Sequence, residues 1–243
     1  MNRLIAQHAN KKRIISVIGA GGKTTLLHQL AEGYRRKGLR VLVTTTTHML
    51  IEADTDLSCD SFVIGHKLET DGYCMAGARC EESKKICALP HQVLGDLYAV
   101  ADIVLIEADG AKHHSLKYPA AHEPVIVPET TEVILLMGLW ELGKPAETVV
   151  YRYAESGVRL AGSVQRQTKH GTQFTGSLQQ RMEHDAQARV SLSWIQHEIY
   201  PRYHLALQAQ GYHGAVTYLL SEKSADGLVF LTWQEAVAKY GLE

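Results

Sequence analysis

Apolar residues along the chain fall into short runs of strand length that alternate with segments of helical spacing. Short apolar runs bounded by turn residues are typical of buried parallel strands, and a repeat every three or four residues is typical of packed helices. The predicted strands are 14–18, 39–45, 61–65, 73–77, 102–107, 132–137, 215–220 and 228–233, and the predicted helices are 23–37, 90–101 and 192–210. The pattern predicts an α/β fold resembling phosphate-loop NTPases, with a mostly parallel, doubly wound sheet and helices on both faces.

The two ends of the chain differ in character. Residues 1–150 carry most of the strand and helix signals and predict a nucleotide-binding α/β domain. Residues 151–243 form a divergent, partly helical segment with a helix break at Pro201 and two apolar runs that are candidates to complete the sheet. Within it, residues 162–187 are rich in Gln, Arg and His and poor in apolar side chains, which predicts loop, exposed helix or disorder.

A glycine-rich turn links the first predicted strand to the first predicted helix. Glycines let backbone amides approach a phosphate closely, and the start of a helix adds its dipole and its free N–H groups. A lysine here reaches the terminal phosphates, and the hydroxyl that follows it binds Mg²⁺. The predicted phosphate-binding residues are Gly19, Ala20, Gly21, Gly22, Lys23, Thr24 and Thr25. Thr24 is also a predicted metal ligand, and Lys23 is also a predicted catalytic residue that neutralises developing charge.

This turn departs from the standard pattern G-x-x-x-x-G-K-[ST], because Val17 stands where that pattern has its first glycine. It is therefore either a tighter loop or a variant of the standard one, and a plain glycine turn with a surface lysine is the alternative. The order of strand, glycines, Lys-Thr and helix favours phosphate binding.

Two carboxylates mark the end of a later apolar strand. Glu107 and Asp109 are two residues apart, so they project the same way if the strand continues. In nucleotide-binding α/β proteins a carboxylate at this place holds Mg²⁺ or poises an attacking water. We predict both as metal ligands and catalytic groups, with a bare Asp109-Gly110 turn as the alternative.

Further polar residues follow two of the predicted strands. Thr46 and His48 lie in a Thr-Thr-Thr-Thr-His run after residue 43, at the sheet edge where ligands bind in open α/β folds. We predict that Thr46 binds the cofactor and that His48 is catalytic. Lys117 is a further phosphate-binding candidate, and the His122-Glu123 pair is a candidate for acid–base work.

Composition narrows the function classes. The formal net charge of −1 indicates neither a nucleic-acid nor a membrane partner. Without a long apolar run or a signal-peptide pattern, we expect a cytoplasmic protein with four reduced thiols. Three of those cysteines, Cys74, Cys80 and Cys87, cluster without C-x-x-C spacing, so plain thiols are favoured over a metal, sulfur or selenium site.

Taken together, the motifs resemble the YqeC family, accessory proteins of selenium-dependent molybdenum hydroxylases. The resemblance covers roughly residues 13–150 and rests on Gly19–Thr25, Thr44–His48, Glu107–Gly110, Leu116–Pro119, His122–Ile126 and Gly138–Pro145. It implies a nucleotide-dependent role in maturing a molybdenum–pterin enzyme, and its matched positions include Lys23, Glu107 and Lys117. Relatives usually carry a tetrapeptide near Asn-Lys-x-Asp, which this sequence lacks after Lys144, so the choice between ATP and GTP stays open.

Three functions are compatible with these signals. The leading hypothesis is a Mg²⁺-dependent NTPase or nucleotide-dependent transferase that uses ATP or GTP. The second is a nucleotide-switched chaperone that docks on a molybdenum hydroxylase without turning over nucleotide by itself. The third is a soft-ligand carrier in which a cysteine holds sulfur, selenium or a metal.

Overall fold

The structure is a computed structural model that describes residues 12–80, 84–155 and 188–242. The predicted loop, exposed helix or disorder at 162–187 lies outside the described residues. The strands are β1 (Arg13–Gly19), β2 (Val41–Thr45), β3 (Met49–Leu50), β4 (Tyr73–Met75), β5 (Ala78–Arg79), β6 (Lys85–Cys87), β7 (Ile103–Glu107), β8 (Leu116–Lys117), β9 (Glu132–Gly138), β10 (Val150–Tyr151), β11 (Ala215–Ser224) and β12 (Gly227–Thr232). The helices are α1 (Lys23–Arg35), α2 (Ser61–Asp71), α3 (His91–Val100), α4 (Ala146–Val149), α5 (Leu192–Trp194), α6 (Tyr200–Ala209) and α7 (Trp233–Tyr240).

A seven-stranded sheet forms the centre of the described fold, in the order β12, β11, β9, β1, β7, β2, β4. Its neighbouring strands are parallel except for the antiparallel pair of β11 and β12. In this order β1 lies directly beside β7, with Val17 opposite Glu107. Since parallel strands end at the same edge, the glycine turn and Glu107 are brought together there.

Helices cover both faces of this sheet, so the predicted α/β architecture is confirmed. On one face Leu26, Leu30 and Tyr34 of α1 are buried against the apolar side chains of the central strands. On the other face, buried residues of α2, α3 and α6 pack in a second apolar cluster. Successive side chains of a strand point to opposite faces, so the central strands serve both clusters and are mostly apolar on both faces.

The predicted strand at 61–65 is wrong, because this segment begins helix α2. The carboxylate of Asp60 accepts hydrogen bonds from the backbone amides of Phe62 and Val63 and so caps the helix. Only one face of the run is buried, since Ile64 is inaccessible while Phe62 is 83 % exposed. The two predicted strands 61–65 and 73–77 therefore do not pair as a hairpin, and β4 pairs in parallel with β2 instead.

Removal of the α2 cap should destabilise the protein modestly. We expect Asp60→Ala to lower the free energy of unfolding by about 1 kcal/mol, because two helix amides lose their acceptor. Urea denaturation of the variant beside wild type measures this difference. Asp60→Asn should retain most of the stability, and equal losses in both variants would contradict the capping explanation.

Residues after 188 contribute directly to the central sheet. Strand β11 pairs in parallel with β9 from Ala215 to Ser221, and β12 closes the edge. A helix break is predicted at Pro201. In the structure a π-helical turn, Ile195–Ile199, comes before it, and Pro201 lies in the first turn of α6. No helix in the described ranges is both long enough and apolar enough to cross a membrane.

Candidate functional site

The glycine turn after β1 is tight. Strand β1 extends through Gly19 and α1 begins at Lys23, so Val17 belongs to the strand and only three residues form the turn. Gly21 has a φ of 94°, and a Cβ there would lie 2.4 Å from the backbone nitrogen of Gly138. Both the left-handed backbone and the close approach require glycine at this position.

The first amides of the turn are held inside the protein. The N–H groups of Gly19, Ala20 and Gly21 donate to Asp109 Oδ2, to the carbonyl of Leu136 and to the carbonyl of His114. The next amides, at 22–25, have no acceptor in the part of the chain that the structure describes. These four N–H groups at the start of α1 are the donors that an anion can engage.

Lys23, Thr24 and Glu107 meet at this helix start. The Lys23 side chain is buried, and its Nζ donates to the carbonyl oxygen of Gly19 at 2.8 Å. The Thr24 hydroxyl donates to Oε2 of Glu107 at 2.9 Å. The pairing of β1 with β7 thus brings a buried cation and a hydroxyl, which are adjacent in the sequence, together with a buried carboxylate 83 positions beyond Thr24.

Burial dominates the acid–base behaviour of the two carboxyls at the end of β7. It raises the pKa of Glu107, and the positive charge of Lys23 and the Thr24 hydroxyl offset part of that rise. Burial likewise raises the pKa of Asp109, against the opposing charges of Lys117 and Lys23. A bound cation would relieve this cost, because it stabilises the ionised carboxylate.

A buried ion cluster lies beside the turn and consists of Asp109, Lys117, Glu123 and Arg152. Lys117 is fully buried and donates to Oδ1 of Asp109, to Oε2 of Glu123 at 2.7 Å and to the Gly110 carbonyl. Arg152 donates to the same oxygen of Glu123 at 2.6 Å. Burial would raise the pKa of Glu123, but Lys117, the Ala120 amide and Arg152 lower it to about 2.

Two contacts from the C-terminal part could not be read from the sequence. Tyr203 of α6 is fully buried, and its hydroxyl donates to Oδ2 of Asp109 at 2.7 Å. Ser221 of β11, also fully buried, donates to the carbonyl oxygen of Gly21. Neither residue belongs to a recognisable motif, because each reaches the site from far along the chain through tertiary packing.

The hydrogen bond of Tyr203 can be tested with Tyr200 of the same helix as an internal control. We expect Tyr203→Phe to lower the free energy of unfolding by about 1.5–3 kcal/mol, since the carboxylate of Asp109 loses a buried donor. The hydroxyl of Tyr200 is also buried but has no partner among the described residues, so Tyr200→Phe should cost nothing. Urea denaturation of both variants measures the difference, and equal effects would contradict the proposed bond.

The other predicted site residues take different places. Ala20 is buried in the turn, and Thr25 is exposed on α1. Thr46 donates through its hydroxyl to the carbonyl of Val125, which fixes the chain after β2. His122 is exposed, whereas its neighbour Glu123 is held in the buried ion cluster.

His48 lies with two cysteines. Its ring nitrogen and the Sγ atoms of Cys80 and Cys87 all fall within 4.8 Å of one another. The expectation of four reduced thiols is wrong for the structure, which joins Cys80 to Cys87 in a disulfide. The strand pairing explains this contact, because Cys80 directly follows β5 and Cys87 lies on its partner strand β6. Cys59 and Cys74 are free thiols, and burial raises the pKa of Cys74 to about 12.

Comparison with known proteins gives a family for this chain. A family model described as YqeC protein matches residues 15–154, which include the glycine turn, Glu107 and the buried ion cluster. The protein YqeC of Escherichia coli strain K12, described as uncharacterized, is 36 % identical over 149 residues. That match covers 58 % of this chain and 58 % of its relative. More than half of the chain matches the family model, and the protein therefore belongs to the YqeC family.

Proposed function

We propose that the chain binds a nucleoside triphosphate, ATP or GTP, together with Mg²⁺ at the start of α1. One observation carries this proposal: Lys23, Thr24 and Glu107 meet beside four helix amides that have no acceptor in the described residues. A triphosphate needs converging N–H donors and a cation at its terminal phosphates, and both are present here.

The donor set also fits a magnesium ion. Mg²⁺ prefers hard oxygen ligands and keeps several of its waters, so a hydroxyl and one carboxylate are sufficient protein ligands. Thr24 and Glu107 offer this pair. The ion would contribute charge neutralisation at the phosphates and would favour the ionised form of the buried Glu107.

Asp109 is better suited to a positioning role than to metal binding. Its Oδ1 accepts from Lys117, and its Oδ2 accepts from the Gly19 amide and the Tyr203 hydroxyl. Both oxygens are therefore occupied, and together they fix the start of the glycine turn. We assign the metal ligands to Thr24 and Glu107 and the shape of the turn to Asp109.

The use of the nucleotide is either hydrolysis or switching. In an NTPase or a nucleotide-dependent transferase, Lys23 would stabilise charge that develops on the transferred phosphoryl group. The contacts of Tyr203 and Ser221 favour switching, because they tie the turn and Asp109 to elements after residue 188. Turnover by the protein alone supports an enzyme, and turnover only with a partner protein supports a switch.

The resemblance to accessory proteins of selenium-dependent molybdenum hydroxylases suggests the partner. We propose that the chain acts in the cytoplasm as a nucleotide-dependent maturation factor for such an enzyme. Pull-down of a purified molybdenum hydroxylase with and without ATP or GTP tests this step. Equal recovery in all conditions would remove the nucleotide-dependent docking.

Calorimetric titration tests the proposed function. Purified protein is titrated with ATP, GTP and CTP, each with and without Mg²⁺. We expect tight binding of one purine nucleotide that weakens when Mg²⁺ is removed. The absence of binding by folded protein in every condition would overturn the proposal.

Replacement of Glu107 should separate binding from stability. We expect Glu107→Gln to lose about 10- to 100-fold of Mg²⁺-dependent nucleotide affinity, because one metal ligand is removed. At pH 7 the unliganded variant should be at least as stable as wild type. The raised pKa of Glu107 makes its ionisation unfavourable for folding, and this penalty grows as pH rises through that pKa. A parallel loss of stability and affinity would contradict this interpretation.

A further inference from the structure

We propose that His48, Cys80 and Cys87 form a binding site for a thiophilic divalent cation of the zinc class when the two cysteines are reduced. Their ligand atoms lie within 4.8 Å of one another, and an imidazole with two thiolates is a ligand set that Zn²⁺ prefers. The site is separate from the proposed nucleotide function, and none of its residues is among the ligands assigned there.

The small sheet of β3, β6 and β5 builds this site through backbone pairing. Met49 lies opposite Ile86 in the antiparallel pair of β3 and β6, so the same register places His48 opposite Cys87. On the other side β5 pairs with β6, and the amide of Cys80 donates to the carbonyl of Lys85. The three ligand residues are thus aligned by backbone hydrogen bonds.

This alignment does not depend on the disulfide. The Cα atoms of Cys80 and Cys87 lie 5.8 Å apart, and the backbone hydrogen bonds between β5 and β6 hold this segment independently of the sulfur atoms, so we expect them to persist when the sulfur–sulfur bond is opened. Two thiolates on adjacent strands can therefore turn toward one ion. The sequence offered these cysteines only as an unspecific soft-ligand site and did not place His48 with them, because strand pairing rather than C-x-x-C spacing brings the histidine to the two cysteines.

Metal binding and disulfide formation exclude each other at this site. A dithiol reductant gives two electrons and two protons to the disulfide, which yields two thiols and leaves the reductant as a cyclic disulfide. Each thiol then releases one proton as its sulfur binds the cation, so two protons leave for each cation bound. Only the reduced form is expected to bind metal.

The exposure of the ligands indicates an exchangeable site. His48 is exposed, and the two cysteines are half-buried. With three protein ligands, a tetrahedral ion keeps one position open to water or to an incoming group. A closed structural site would have a fourth protein ligand, and the described residues offer none within the same cluster.

Cobalt and zinc titrations of the full chain test the proposal. Protein reduced with a dithiol and then freed of reductant under anaerobic conditions is titrated with Co²⁺, followed by Zn²⁺ in competition with a chromophoric chelator. We expect one equivalent of Co²⁺ to give a thiolate charge-transfer band and tetrahedral d–d bands, which Zn²⁺ abolishes. Oxidised protein should show neither signal.

Matched variants decide whether the three residues act together. His48→Ala should weaken Zn²⁺ binding by about 100-fold, whereas His66→Ala, which alters an exposed histidine on α2, should leave it unchanged. Cys80→Ser with Cys87→Ser should abolish the charge-transfer band, and Cys59→Ser should not. The proposal is overturned if reduced wild type gives no such band, or if His48→Ala binds as tightly as wild type.

Discussion

A Lys23→Met variant is expected to fold and to lose about 100- to 1000-fold of its affinity for nucleoside triphosphate. Removal of one partner from a buried charge pair costs about 3–4 kcal/mol, which corresponds to this loss of affinity. The side chain of Met has a similar length, so the turn keeps its packing. The carbonyl of Gly19 loses one donor, which costs about 1 kcal/mol and leaves the protein folded.

Calorimetric titration with the preferred nucleotide and Mg²⁺ measures the loss, and thermal unfolding without nucleotide checks the fold. Lys144→Met is the control, because the Lys144 side chain is 57 % exposed and, among the residues that the structure describes, forms an ion pair with Glu141 of its own loop alone. Equal affinities of the Lys23→Met and Lys144→Met variants would place the phosphates elsewhere. The glycine turn would then be a structural connection.

Much of the proposed nucleotide site could be predicted from the sequence, because its residues follow apolar strands. Gly19–Thr25 and Glu107 each come directly after an apolar run, and the carboxyl ends of parallel strands share an edge. The pairing of Val17 with Glu107 provides that contact, and the Thr24–Glu107 hydrogen bond results from it. The helices at α1 and α3 were likewise predictable, because their periodic apolar positions face the sheet.

Other features depend on contacts that no local pattern encodes. The apolar residues of 61–65 suit a strand as well as a helix, and the cap from Asp60 decides between them. Ser221 reaches the glycine turn because β11 joins the sheet beside β9, and Tyr203 reaches Asp109 because α6 packs against the same apolar cluster. The pairing of His48 with the cysteines is similar, since strand register and not spacing brings them together.

The contacts of Asp109 are another feature that the local sequence pattern does not reveal. Its spacing from Glu107 predicts a second metal ligand, which stays a prediction, and spacing alone does not reveal which other groups contact this carboxylate. Lys117, Tyr203 and the Gly19 amide occupy both of its oxygens. Lys117 itself was predicted to bind phosphate, and in the described structure its ammonium is fully buried between Asp109 and Glu123.

Lys117→Met should be the most destabilising single substitution proposed for this protein. We expect the free energy of unfolding at pH 7 to fall by about 3–5 kcal/mol, because Asp109 and Glu123 lose their shared cation in a buried place. Lys144→Met removes an ion pair of the same 2.7 Å length as that between Lys117 and Glu123, but the Lys144 side chain is 57 % exposed. That control should cost at most about 1 kcal/mol.

The pH dependence distinguishes lost charge pairing from lost packing. In wild type the pKa of Glu123 is lowered from 4.5 to about 2, so its contribution to stability is complete above pH 4.5 and declines as pH falls toward 2. Without Lys117, Glu123 keeps Arg152 as a partner, but Asp109 loses the cation bonded to it, so burial raises the pKa of Asp109 further. The penalty in the variant shrinks as pH falls through that raised value. Urea denaturation at pH 7 and at about pH 5 should therefore show a smaller difference between wild type and Lys117→Met in acid. A difference that is the same at both pH values would mean that Lys117 stabilises the fold by packing alone.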